Sequence, residues 1–430
     1  MATALECAAR ANLLAMGILE LLRTRPAFRR LWLAQVVSEC GDWFQLVALM
    51  SMFPTRKEGA AIIAGLFVAR NLVATIATPV AGVLADRFDR GKVMIAADIA
   101  RAVVVLGFLL VRGPHDVVAI FTLSLLLEAL TVVFEPARGA AMPQVVPNEG
   151  LLAANVLGGA TWSTMLTVGG LAGGIVAALL GRHVAFVVNA GSFLLSAVFV
   201  HLARIPPLPP PASTTPKKKG IGGLDDMREG LAYLNENRPQ AALLGLKPGV
   251  LLAGASFVLT TVFADRVFPG NNALTMGWLM AGRGLGALFL PILFARLGRT
   301  DGGTMKMLLA IFPIAICGFF GFGLAPNVAV AAFALFFAHG STSTIWVCSM
   351  PLLQKTVPNH VLGRVLSVEL ALVTAAIAFS GAFVGVLLSQ LDVAPRTAAF
   401  AMASLLVVPW LLWMRNHAKF GAALRDAARK

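Results

Sequence analysis

The chain has 430 residues, of which 58% are hydrophobic and only 13% charged, and its mean hydropathy is +0.81. A soluble chain carries about 25% charged residues, so lipid is the solvent for most of this one. Its long unbroken apolar runs exclude a membrane β-barrel, whose strands alternate over about ten residues. Taken in order, residues 1–27 are predicted to be a cytoplasmic, amphipathic lead-in. Glu6, Arg10 and Glu20 interrupt it and Arg23, Arg25, Arg29 and Arg30 follow its apolar part, which is not the pattern of a cleaved signal peptide. Six spans are predicted over 31–53, 61–84, 93–111, 117–137, 151–180 and 184–203. A second six fall over 243–264, 273–295, 305–324, 328–353, 365–389 and 396–415. At about 20 residues per span this is the number such a length accommodates. Met307 to Gln354 holds no Lys, Arg, Asp or Glu, and Ala325-Pro326-Asn327 supplies the turn that divides it.

The organisation that follows is an all-α membrane protein of twelve transmembrane helices in two pseudo-symmetric six-helix bundles. The bundles occupy 28–203 and 241–415, with a cytoplasmic linker over 204–240 and a cytoplasmic tail over 416–430. The net charge of +14 reads as membrane topology rather than nucleic-acid binding, because no basic run is interleaved with stacking aromatics. With both termini inside, only Arg56, Lys57, Arg112, Arg182, Arg266 and Arg396 fall outside. Arg70, Arg101 and Arg283 fall within spans, and the other Lys and Arg lie inside or at the inner ends of spans. That bias sets the orientation. The four cysteines are scattered, with no metal-site or disulfide spacing. No cofactor or metal is expected.

The halves resemble one another. Gly65 and Pro79 match Gly277 and Pro291 at an offset of 212, and Gly169 and Gly173 match Gly381 and Gly385 at the same offset. Duplicated halves place a substrate site at the repeat interface, near the bilayer midplane.

Between spans two and three stands Gly82-Val-Leu-Ala-Asp86-Arg87-Phe-Asp-Arg90-Gly91-Lys92. It resembles the loop signature of the major facilitator superfamily, Gly-x-Leu-x-Asp-Arg-x-x-Arg followed by a basic residue. Further segments resemble the drug, macrolide-efflux and enterobactin exporter branch of that family. They run from Phe28-Arg-Arg-Leu-Trp-Leu to Gly41-Asp42-Trp43, and include Phe134-Glu135-Pro136-Ala137 and Asn189-Ala-Gly-Ser-Phe193. The branch often has Gly-Pro-x-x-Gly-Gly in span five. Here Gly170 replaces the Pro, which removes the kink. The resemblance implies a cytoplasmic gate of Gly82, Asp86, Arg87 and Arg90, with Arg364 as the partner of Asp86. It also implies a cavity lined by spans one, four, seven and ten.

Ionisable groups inside a span are costly and are functional candidates by default. At 1.5 Å per residue, Asp42 lies about 18 Å above Arg30 and Glu39 about 13 Å, on one helical face. Glu128 in span four, Arg70 in span two and Arg283 in span eight are similarly deep. His339 in span ten stands 211 residues after Glu128, at the equivalent place in the repeat. Asp42, Glu128, Arg70, Glu39, His339 and Arg283 are therefore the expected proton-coupling or substrate-cavity residues. Asp98, Arg101, Glu135 and Glu369 are expected as gate or structural groups. With 27 Phe and seven Trp against one Tyr, a cavity offers apolar faces, and Trp43, Phe44, Trp162 and Trp346 are its candidate lining. Trp278 is a further candidate.

The expected function is export of a lipophilic small molecule by alternating access and proton antiport, by a monomer in a bacterial inner membrane. A lysophospholipid or siderophore carrier is the alternative within the class. A non-transporting sensor or assembly protein is the alternative outside it. The expected partners are substrate, protons and membrane lipid, with no nucleic acid. No nucleophile and base arrangement or phosphate-binding loop points to an enzyme.

Overall fold

A computed structural model describes residues 18–53, 57–113, 115–147, 150–206, 222–268, 270–297 and 301–427. The first span is α1 (Pro26–Met50), and α2 (Lys57–Arg87) is the second. They are followed by α3 (Arg90–Gly107), α4 (Val117–Val145), α5 (Leu151–Leu179) and α6 (Arg182–Ala203). The linker contributes α7 (Gly222–Glu236). Span seven is built from α8 (Arg238–Leu244), α9 (Leu246–Leu251) and α10 (Ser256–Arg266). Then come α11 (Asn272–Leu297), α12 (Asp301–Leu324), α13 (Val328–Thr356) and α14 (Asn359–Ser389). Span twelve is α15 (Pro395–Leu405) with α16 (Val407–Ala427). The described residues contain no strand.

Among the described residues, ten helical segments are long and apolar enough to cross a membrane. The exceptions are α1 and α2, which hold the first two places. In α1 the charges that make the helix interesting, Glu39 and Asp42, also lower its hydropathy. Many large apolar side chains point outward, among them Ile76, Val103, Leu179, Leu324 and Phe333. Such faces require hydrocarbon around them.

The helix boundaries follow local chemistry. Asp89 accepts from the Lys92 N–H at 2.9 Å to cap α3, and Asn327 accepts from the Val330 N–H at 3.0 Å to cap α13. The second cap belongs to the expected Ala325-Pro326-Asn327 turn. Span seven departs from the single predicted helix. Pro248 has no N–H to donate, and the helix breaks at Gly245 and again over 252–255. The second break is closed from span eleven. The Ser380 hydroxyl accepts from the Ala255 N–H at 2.9 Å and donates to the Leu252 carbonyl at 2.6 Å. Two backbone groups that a bilayer leaves unsolvated are thereby satisfied.

The chain divides into two compact units, Met1–Met52 with Val73–Ala212, and Phe53–Leu72 with Ser213–Lys430. The division runs through α2. In the first unit α1 packs on α5 and α6, and α3 packs on α4 and α6. Its core gathers Phe28, Leu31, Met94, Phe134 and Val200. The α1–α5 approach depends on glycine. A Cβ on Gly173 would stand 2.7 Å from the Phe44 Cα, and one on Gly169 would stand 3.0 Å from the Trp43 Cβ. In the second unit α13 packs on α11 and α12. Its core includes Leu244, Phe312, Ile345, Trp413 and Phe420. The N-terminal half of α2 contributes Phe67, which stacks on Phe257 at 6.3 Å.

Candidate functional site

The first unit carries a chain of polar side chains through its spans. From α1, Gln35 donates to Glu39 Oε1 at 2.7 Å and to the Gly158 carbonyl of α5 at 3.3 Å. From α4, Arg138 donates to Gln35 Oε1 at 2.7 Å and to Glu135 at 2.7 Å. Glu39 Oε2 is buried and has no partner among the described residues. Its charged neighbours are Arg138, Glu135 and Asp42. Half-buried Asp42 stands one turn further along α1, on the same side. Beside the chain, Trp32 donates to Thr161 at 2.8 Å, and Trp43 meets Trp162 edge-to-face at 6.1 Å. Aromatic walls and a polar thread thus share α1, α4 and α5. Glu128 lies half-buried on α4, and Phe44 packs with its backbone against Gly173.

Two of the groups expected as gate or structural serve packing. Asp98 and Arg101 form an ion pair within α3, both fully buried. The guanidinium sits 4.3 Å from the ring centres of both Phe134 and Phe193. This clamps α3 to α4 and α6 by charge–quadrupole attraction. A second buried pair escaped the sequence reading. Asn189 on α6 donates to Gln45 on α1 at 2.5 Å, with Ser192 donating to Asn189.

The second unit has two clusters. Arg283 on α11 is buried, donates to Ser256 on α10 at 3.2 Å and faces the Phe257 ring at 5.7 Å. Its Nε has no partner among the described residues. His339 on α13 feels the Arg283 charge and meets the Thr342 hydroxyl through Nδ1 at 3.4 Å. Two of the six expected cavity residues, Arg283 and His339, are therefore neighbours. Arg70 is half-buried on the α2 segment of this unit.

The other cluster was not foreseen. Lys247 on α9, counted above with the inner span ends, is buried within span seven. It pairs with Glu369 on α14 at 3.0 Å, lies 5.1 Å from the Trp346 ring centre and reaches Met350 Sδ at 3.7 Å. Glu369, expected as a gate or structural group, is thus a buried, paired carboxylate. Trp346 is roughly half-exposed, as is Trp278.

In the expected gate, Gly82, Asp86 and Arg87 form the end of α2, and their side chains lie outside the described residues. Arg90 donates to the Ala140 carbonyl at 2.7 Å, which ties the α3 start to α4. Arg364 is ion-paired with Glu229 on the linker helix α7. No group of three or more His, Cys, Asp or Glu among the described residues is arranged to hold a metal.

The sequence belongs to a known lineage. The transmembrane secretion effector model of the major facilitator superfamily matches residues 21–427. The chain belongs to that family.

The chain is 26% identical over 404 residues to the Bacillus subtilis MFS-type transporter YfiS, covering 90% of this chain and 92% of the relative. It is 27% identical over 356 residues to the enterobactin exporter EntS of Shigella boydii, covering 81% and 82%. The multidrug efflux pump Tap of Mycolicibacterium fortuitum is 25% identical over 354 residues, covering 80% and 84%. Two solved structures share the fold. The POT family transporter PepTSo has a TM-score of 0.69 at 13% identity, covering 93% of this chain and 99% of the other. The nucleoside transporter NupG has a TM-score of 0.63 at 15% identity, covering 91% and 98%. This member of the superfamily is an integral membrane transporter with bacterial relatives, and not an enzyme.

Proposed function

We propose that this transporter exports a lipophilic small molecule from the cytoplasm by alternating access, driven by protons entering in exchange. It acts in the bacterial inner membrane as a monomer with both termini cytoplasmic, an orientation supported by the Lys and Arg bias. Relatives named as enterobactin exporter and multidrug efflux pump support the direction. The observation that carries the coupling is the α1–α4 thread, in which a buried Glu39 oxygen beside Asp42 and Arg138 has no hydrogen-bond partner among the described residues. A carboxylate left with an unsatisfied buried oxygen is suited to take a proton there and release it. Asp42 and Glu128 are the partners in that exchange.

The apolar character of the substrate has its own support. The only tyrosine, Tyr233, lies on linker helix α7, so no phenol lines a span. Trp43, Trp162 and Phe44 instead offer flat apolar faces, the usual lining of a site for a lipophilic ligand. Arg283, Arg70 and His339 are proposed to meet the polar end of the substrate.

The test is uptake of a lipophilic dye into proteoliposomes under an imposed pH gradient. Wild type is expected to accumulate dye. Asp42→Asn, Glu39→Gln and Glu128→Gln are expected to lose gradient-driven accumulation at equal protein content. Undiminished transport in all three variants overturns the coupling assignment.

A further inference from the structure

On the second unit a groove of about 520 Å³ lies between α7, α8 and α14, within the about 300–1,000 Å³ usual for small-molecule sites. Its floor is apolar: Leu231, Leu244, Val368 and Leu372. Its rim carries Arg228 and Arg238, both exposed and neither bonded to another described residue. The groove is preformed. Glu229, the acid next to Arg228, is ion-paired with Arg364, so its charge is already neutralised, while Asp225 and Asp226 precede it on α7. A Cβ on Gly230 would stand 2.6 Å from the Arg364 carbonyl oxygen, so α7 is pressed against α14.

The depth of these residues identifies the occupant. The apolar segments containing α8 and α14 that are long enough to cross a membrane start at Arg238 and Arg364, which puts the rim arginines at the charged ends of those segments. Leu372 lies about 12 Å further along the helix, at 1.5 Å per residue, among acyl chains. Cations at headgroup level above an apolar trough are complementary to an amphiphile with an acidic head.

We propose that this groove is a binding site for one anionic glycerophospholipid, its phosphate held by Arg228 and Arg238 and one acyl chain lying along Leu231, Leu244 and Leu372. The lipid fastens the linker helix to span eleven.

The test uses the full chain purified in detergent, titrated with phosphatidylglycerol and with phosphatidylcholine of the same chains. Native mass spectrometry counts the bound lipid. Phosphatidylglycerol is expected to bind wild type more tightly than phosphatidylcholine. Arg228→Ala with Arg238→Ala is expected to weaken it on the order of 30-fold, from the attraction each interfacial cation contributes. The double Lys variant retains binding. Leu231→Trp, which fills the trough and leaves both charges, is also expected to lose the lipid. Equal affinity for the two lipids overturns the proposal. So does wild-type binding in the double Ala variant or in Leu231→Trp.

Discussion

Lys247 and Glu369 meet where neither is affordable alone. A buried pair whose partner is removed leaves an uncompensated charge, which costs about 3–5 kcal/mol. Lys247→Met is therefore expected to lower the thermal unfolding midpoint sharply in detergent. Lys247→Met with Glu369→Leu is expected to recover most of the loss, since apolar replacement of a whole buried pair is close to neutral. A double variant no more stable than the single one contradicts this account of the pair. The pair was not legible beforehand for a physical reason. Lys247 stands at the inner end of predicted span 243–264, before Pro248-Gly249 and after a polar linker, so it looks like a span-end charge until the fold brings Glu369 to it from 122 positions away. Glu39 and Asp42 were legible because distance along one helix suffices to bury them. The Gln35–Arg138 thread that connects them to α4 was not, because it depends on which faces of α1 and α4 meet.

At the scale of the helix, the break in span seven and the tight α1–α5 crossing make the sharpest claims. Ser380→Ala removes the one hydroxyl that serves both Ala255 and Leu252. Each orphaned buried backbone group costs about 1–3 kcal/mol, so a fall in unfolding midpoint is expected, together with faster amide exchange around Leu252 to Ala255. Unchanged exchange there contradicts the closing role given to Ser380. Gly173→Leu places carbon atoms where the Phe44 backbone already lies. It is expected to abolish transport and to reduce the yield of monodisperse protein, whereas normal yield and transport contradict the close packing. Span positions were readable because hydropathy and Pro or Gly punctuation act locally. The span-seven break was not, because its backbone groups are satisfied by a residue from another span.

For the molecule as a whole, the fold class was legible in composition and in the loop after span two, and the family match over residues 21–427 agrees with both. The central claim is that intramembrane carboxylates on α1 and α4 exchange protons for substrate. The most direct measurement is lumenal pH, read by a trapped dye in proteoliposomes as a lipophilic substrate is added without any imposed gradient. The account predicts a substrate-dependent proton flux opposite to the substrate, which disappears in Asp42→Asn and Glu39→Gln. Substrate movement with no accompanying change in lumenal pH contradicts it.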